Sequence, residues 1–253
     1  MSERLERAMD DLKEANEGLR RDIEREREQE RERIDFFTSV SHELKTPIAV
    51  LKGELEGMIY GVGEFKDRDT YLRHCLETTD AMENTVREII SAARASGDFS
   101  PMEETVDVGA LTVAVCDRLD SFAQTRDVRL RCDVQPRCHI KGDASLVEKA
   151  IANVVENAIT YSEPGALVLV GLADGVLKVE NSGAHIDEAD LPRLFEPFFR
   201  VDRSRSRESG GTGLGLYIAK VALDRHGVAC SIQNTDEGVA FTADFRRAME
   251  AAK

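Results

Sequence analysis

The chain has 253 residues, 34 basic against 48 acidic side chains, a formal net charge of −14 and no tryptophan. Its hydrophobic content of 42% supports a core and excludes wholesale disorder, while the acidic balance excludes general affinity for a phosphate backbone, so no nucleic-acid partner is expected. The longest apolar run, about Ala166–Ala173, falls well short of the ~18 residues of a membrane span. The five cysteines (Cys75, Cys116, Cys132, Cys138 and Cys230) contain no CxxC and read as reduced thiols in a cytosolic setting.

Residues 1–33 read as a coiled-coil linker. Leu5, Leu12 and Leu19 recur every seven residues, and Met9, Asn16 and Ile23 follow each by four. That pattern is the seam of a parallel two-stranded coiled coil in which Asn16 would fix register. The alternative is a single solvated helix of Glu/Arg pairs, which Glu24–Arg33 resembles, having no apolar residue. The seam continues weakly through Glu26, Glu30 and Arg33. It then resumes in two heptad rows: Phe37, Leu44, Leu51 and Met58; and Ser41, Ile48 and Leu55. The spacing across Phe37 and Ser41 is a stutter, which locally unwinds a coiled coil. Gly61 and Gly63 should break this helix. A second amphipathic helix carries Leu72, Leu76, Thr79, Met82, Val86, Ile89 and Ala93, and stops near Gly97, with Pro101 beyond. Such an αα-hairpin, over residues 34–100, cannot bury its stripe alone, so two copies are expected to form a four-helix bundle as a homodimer.

Residues 101–253 change pattern. Val128, Leu130, Cys132 and Val134 alternate with polar residues as in a strand. Asp143 is placed to N-cap a helix reaching about Thr160. Leu167–Leu172 and Val176–Glu180 flank an Asp174–Gly175 turn. A helix from Gly213 to about His226 and a second hairpin, Cys230–Gln233 with Val239–Phe245, complete a single α+β layer domain.

Five segments carry chemistry. His42 sits on the rim of its helix beside Ser41, followed by Glu43, with Thr46 one turn on and Pro47 expected to kink the helix at a cost of about 3 kcal/mol. An imidazole whose second nitrogen is held can attack phosphorus; Glu43 could hold that nitrogen and act as base, and Thr46 could orient a water. Periodicity alone equally fits an ordinary exposed histidine. His74, His139, His185 and His226 read as surface or packing residues. Gly211-Thr212-Gly213-Leu214-Gly215-Leu216 opens a helix, where glycines admit a phosphate to the backbone and the helix N-terminus favours it. Arg200–Arg207 before it holds four Arg against one Asp, a positive island suited to a polyanion such as ATP, or a solvated loop. Neither a Walker A sequence nor a strand-linked GxGxxG is present. Asn153 and Asn157 share one helix face; an amide oxygen suits Mg²⁺, and a pair of surface amides is the plain alternative. Asn181-Ser182-Gly183 could present an acceptor to an exocyclic amine, or be a turn.

Taken in order, these segments resemble the sensor histidine kinases of two-component systems. Phe37-Thr-Ser-Val-Ser-His-Glu-Leu-Lys-Thr-Pro47 is similar to their phosphoacceptor box, Asn153-Val-Val-Glu-Asn-Ala158 to the N box, Glu180-Asn-Ser-Gly183 to the first glycine box, Leu194-Phe-Glu-Pro-Phe-Phe-Arg200 to the F box and Gly210-Gly-Thr-Gly-Leu-Gly-Leu216 to the second glycine box. Several choices resemble the glycopeptide-resistance sensor branch. The resemblance implies a dimerisation and histidine-phosphotransfer hairpin at 34–100, then a Bergerat-type (GHKL) two-layer ATP-binding domain at 101–253. It implies His42 as phosphoacceptor with Glu43 assisting, and Thr46 serving dephosphorylation of a response regulator, the partner whose receiver aspartate takes the phosphoryl group. It implies ATP and Mg²⁺ as ligands. Asn157 would hold the metal with Asn153 in support, Tyr161 would lie near the base and Asn181 at the adenine amine. Gly183, Arg200, Gly211, Thr212, Gly213, Leu214, Gly215 and Leu216 would line the nucleotide, under a lid between Phe195 and Gly211. A chain of this kind is expected to be the cytoplasmic portion of a protein anchored to the membrane by an upstream segment. Asn181 replaces the family's usual Asp, His185 a usual glycine, and Thr160 a basic residue that often reaches the phosphates. Two other functions compete. A gyrase- or chaperone-type ATPase would need a Glu four residues before the metal-binding Asn, where this chain has Asn153, a side chain that cannot act as a base. A non-catalytic dimeric scaffold would draw on Asn181, His185 and Thr160.

Overall fold

The computed structural model describes residues 2–96, 104–135, 138–201 and 211–251. The ends expected at Gly97 and Pro101, and the basic run from Asp202 to Arg207 with Gly210, lie outside them. The chain divides into two compact units, Met1–Cys75 and Leu76–Lys253.

In the first unit, α1 spans Ser2–Tyr60 as one helix. It runs unbroken through the heptad shift at Phe37–Ser41, and Pro47 does not end it. The helix softens itself locally by side chains that bond carbonyls four residues back: Thr38 Oγ1 to Ile34 O at 2.8 Å, Ser41 Oγ to Phe37 O at 2.8 Å and Thr46 Oγ1 to His42 O at 3.4 Å. Such back-bonding competes with the ladder and tends to bend helices, so the segment around His42 combines it with a proline. The side chains of Leu5, Met9 and Leu12 lie outside the described residues; Asn16, Leu19 and Ile23 are exposed. Gly61 and Gly63, at φ +62° and +55°, end α1 as expected. A 3₁₀ turn at Gly63–Lys66 leads to α2, Arg68–Ser96, whose residues from Leu76 onward belong to the second unit. Asp67 opens α2 by accepting from Thr70 Oγ1 at 2.7 Å, and this bond holds its carboxyl below the usual range. The Cys75 thiol donates to Glu54 Oε2 at 3.4 Å.

The second unit contains a five-stranded sheet. Its strands are β2 (Arg129–Val134), β4 (Leu167–Ala173), β5 (Val176–Ser182), β7 (Gly238–Asp244) and β6 (Ala229–Asn234), side by side in that order. Only β2 and β4 run parallel; β4–β5, β5–β7 and β6–β7 are antiparallel. A separate antiparallel pair joins β1 (Glu104–Asp107) to β3 (His139–Gly142). Three helices complete the layer: α3 (Val108–Thr125), α4 (Ala144–Thr160) and α5 (Gly215–Arg225), with a short C-terminal α6 (Arg246–Ala251). Val168, Val170, Leu172, Leu177 and Val179 alternate onto the buried face and meet Val115, Ile151, Val155, Ile159, Ala219 and Leu223 of the helices in one core. Burying such side chains supplies roughly 1.5–3 kcal/mol each. The expected Asp174–Gly175 turn has φ +50° and +73°, the two positive values of a primed hairpin turn.

Helix α3, β1 and β3 were not anticipated. α3 shows a helical spacing of apolar residues at Val108, Leu111, Val115, Leu119 and Phe122, capped where Asp107 Oδ1 accepts from Ala110 N–H at 3.0 Å. The helix expected from Gly213 begins two residues later. All five cysteines are free, and burial pushes the thiols of Cys138 and Cys230 up to about 11.

At the end of β7, the Arg246 guanidinium hydrogen-bonds to Asp244, with Nε–Oδ1 at 2.8 Å, and holds this carboxyl down at about 2. A depressed carboxyl stabilises the fold above its ordinary value of 3.8 and loses that contribution as pH falls towards 2. The stability difference between the wild type and Asp244→Asn is therefore expected to shrink from about pH 4 to about pH 2. Acid titration of urea midpoints checks this; a constant difference would contradict it.

Candidate functional site: a histidine rim and a glycine cradle

On α1, His42, Glu43 and Thr46 are all exposed, and Pro47 is half-buried. The Thr46 hydroxyl turns back to the His42 carbonyl, so it occupies the same face one turn on. The imidazole is thus accessible on a helix whose backbone already carries competing bonds.

The second constellation lies where α4 meets α5. Asp143 caps α4, its Oδ1 accepting from the N–H groups of Ser145 (2.9 Å) and Leu146 (3.2 Å). Three turns into α4, Asn153 is buried and its Nδ2 donates to Gly215 O at 3.0 Å. Asn157 follows one turn later, half-buried. A Cβ placed on Gly215 would stand 3.8 Å from both Asn153 Cγ and Asn157 Nδ2. The start of α5 therefore lies directly against the two asparagines.

Gly213 has φ +79°, and a side chain there would meet the Phe198 backbone at 2.9 Å. Phe198, itself at φ +64°, donates its N–H to Gly213 O at 3.0 Å. The phenylalanine segment and the glycine segment thus lock together through the main chain. Arg200 Nη1 donates to Gly211 O, and a Cβ on Gly211 would come within 3.9 Å of both Arg200 Nη2 and Tyr161 Oη. Tyr161 is exposed at the C-cap of α4. Thr212 Oγ1 accepts from Leu214 N–H at 3.2 Å and donates to a Glu88 carboxylate oxygen. Burial raises the Glu88 carboxyl above its ordinary range, against the opposing pull of the Thr212 hydroxyl. Leu214 is fully buried and Leu216 packs on the core, which anchors the cradle.

Asn181 is buried at the end of β5, facing Val168 of β4 and Val239 of β7 in register. Gly183 beyond it has φ +80° and donates its N–H to Glu237 O at 2.8 Å. The following loop is pinned by Asn234, whose Oδ1 accepts from Ile186 N–H at 3.0 Å and whose Nδ2 donates to Ile186 O at 2.7 Å. The fold thus gathers Asn153, Asn157, Tyr161, Arg200, Gly211, Gly213 and Gly215 in one place, while Asn181 and Gly183 lie at the end of β5. Phe198, part of the F box read from sequence, contributes through its main chain, which no side-chain pattern displays. Two participants were missed: Glu88 and Asn234 lie far from the cradle in sequence, with no local motif around them.

Chemically, the N-terminus of α5, the glycine backbone and Arg200 suit an anion such as a phosphate chain. The Asn157 amide oxygen is a donor acceptable to a hard cation shared with those phosphates. The residues present fit a magnesium–nucleotide.

Residues 142–249 match the family described as histidine kinase-, DNA gyrase B- and HSP90-like ATPase, and residues 32–97 match the His Kinase A (phospho-acceptor) domain. The chain is 36% identical over 239 residues to the sensor protein VanSB of Enterococcus faecalis, covering 92% of this chain and 54% of that protein. It is 33% identical over 240 residues to the phosphate regulon sensor protein PhoR of Pseudomonas aeruginosa, again 92% and 54%. The chain thus spans about half the length of these relatives. Among solved structures, histidine kinase ThkA in complex with the response regulator protein TrrA superposes with a TM-score of 0.60 at 20% identity, covering 81% of this chain and 59% of that one. That likeness is one of fold.

Proposed function

We propose, for a chain that belongs to the sensor histidine kinases of two-component systems, that it transfers the γ-phosphoryl group of ATP to His42 and from there to an aspartate of a response-regulator receiver domain. The observation that carries this reading is the coexistence, in one chain, of an exposed histidine beside Glu43 on α1 and of a glycine cradle closed on Asn153 and Asn157. Attack needs an accessible imidazole with its second nitrogen held, which Glu43 would do. Binding needs the α5 N-terminus, Arg200 and the Gly211–Leu216 backbone for the phosphates, and Asn181 at the base. Asn157 would hold Mg²⁺, and the Asn153 bond to Gly215 would keep the cradle against it. Mg²⁺ would neutralise charge on the transferring phosphates.

Asn153 is engaged with a backbone carbonyl and carries no acid–base group, which favours a kinase over a water-activating ATPase. Thr46, on the His42 face, would serve dephosphorylation of the regulator. The division into a linker at 1–33, a phosphotransfer hairpin at 34–100 and a catalytic domain at 101–253 follows from the same assignment. Phe37, Ile48 and Leu55, at 55%, 52% and 41% exposure in the single chain, are the apolar stripe that a second copy would cover. No helix among the described residues is long and apolar enough to cross a membrane; anchoring would come from an upstream segment, with these residues on the cytoplasmic side.

Incubation with γ-labelled ATP and Mg²⁺ tests the reading: acid-labile, base-stable label on the protein is expected, and its absence would overturn it. Asn157→Ala should weaken Mg²⁺–ATP binding by about tenfold to a hundredfold, the effect of removing a charge-assisted contact. Calorimetric titration measures this, and an unchanged affinity would remove Asn157 from the site.

A further inference from the structure

His226, read from the sequence as a packing residue, is bonded at both ring nitrogens. It forms the C-cap of α5. Its Nε2 lies 3.0 Å from the Asp143 backbone nitrogen, and its Nδ1 lies 2.6 Å from the Ala222 carbonyl oxygen. A backbone N–H can only donate, so Nε2 accepts; the proton is then on Nδ1, which donates to Ala222. The ring is held as one neutral tautomer between the end of α5 and the start of α4.

Asp143 is the N-cap of α4, and the N–H of an N-cap residue is often satisfied by a Glu or Gln three residues on. Here that position is Leu146, which cannot do so. His226 supplies the missing acceptor from another helix. The fit is close, because a Cβ on Gly142 would stand 2.1 Å from His226 Cδ2.

The two helices are therefore tied at two points. Asn153 joins the middle of α4 to Gly215 at the start of α5, and His226 joins the end of α5 to the start of α4. One tie alone would leave the two helices free to pivot about it; the second, at the other end of α5, also fixes their crossing angle. That angle sets how the N-terminus of α5, with Gly213 and Gly215, is aimed at Asn153 and Asn157.

We infer that His226 is a positioning residue for nucleotide binding, acting through the Asp143 N–H to hold the glycine cradle aimed at the asparagine face of α4. The inference rests on the nucleotide-site reading above. Its effect should fall on ATP affinity and spare the labelling rate at saturating ATP, because His226 touches neither ligand nor His42.

Two conservative variants of the full chain separate the bonds. In His226→Gln the longer amide can place its oxygen where Nε2 accepts. In His226→Asn the amide can still donate to Ala222 but falls short of Asp143. His226→Asn is expected to weaken ATP binding roughly tenfold, as for a lost part-buried hydrogen bond, while His226→Gln stays within about threefold of the wild type. Amide exchange without nucleotide supplies a second readout: His226→Asn should speed exchange at residues 143–147 and at 214–218, with the sheet unaffected. Wild-type affinity in His226→Asn would overturn the inference, as would equal losses in both variants with faster exchange throughout the unit. If the wild type itself binds no ATP, the nucleotide reading fails separately, and the exchange pattern alone decides whether His226 holds the cradle: unchanged exchange at 214–218 in His226→Asn would then overturn it.

Discussion

Gly238→Ala is expected to destabilise the second unit by about 3 kcal/mol or more, at the upper end of overpacking effects. The added Cβ would stand 1.9 Å from the Asn181 carbonyl oxygen and 3.0 Å from Ser182 Cα. Both obstacles are backbone, so no side-chain rotation relieves the clash. Gly238 opens β7 and faces Ser182 in register, while Asn181 pairs with Val239. Relief therefore requires β5 and β7 to separate at their shared end. That end also carries Gly183, tied by its N–H to Glu237 O. The same substitution should accordingly lower ATP affinity in whatever folded protein remains. Chemical denaturation measures the first effect and nucleotide titration the second. Stability within about 0.5 kcal/mol of the wild type, the range of an innocuous surface change, would show that the close approach at Gly238 is not maintained in solution.

The pattern of what was readable from sequence has physical causes. The Asp143 cap, the Asp174–Gly175 turn and the helix break at Gly61 depend on local chemistry, and all three stand where the residues put them. The phosphoacceptor and glycine segments were legible because each is a short run whose residue types must be contiguous. Helix α3 escaped because its apolar residues merge with the alternation that follows at Val128, and its cap, Asp107, also ends a strand. The parallel pairing of β2 with β4 joins residues nearly forty positions apart, and nothing in either strand names its neighbour. The same limit hid the Asn153–Gly215, Asn234–Ile186 and His226–Asp143 bonds. In each, a polar side chain satisfies the backbone of a distant element. Such a side chain looks like any surface amide or imidazole until the fold brings its partner near. Asn153 had been assigned only a supporting place beside Asn157, and its bond to Gly215 gives that support a specific form.

Replacing His42 is expected to have the largest effect on activity, because no second group can take its place. Glu43 and Thr46 are its neighbours on α1, but an acyl phosphate on Glu43 or a phosphate ester on Thr46 would differ from a phosphoramidate in acid and base stability. His42→Gln keeps a polar, helix-compatible side chain on an exposed position, so folding and ATP binding should be preserved. The decisive measurement is therefore γ-labelling of the wild type and His42→Gln side by side, at saturating Mg²⁺–ATP, with nucleotide affinity measured for both. Acid-labile label is expected on the wild type alone, with equal ATP affinity in the two proteins. Equal labelling of His42→Gln, or no label on a wild type that binds ATP, would contradict it.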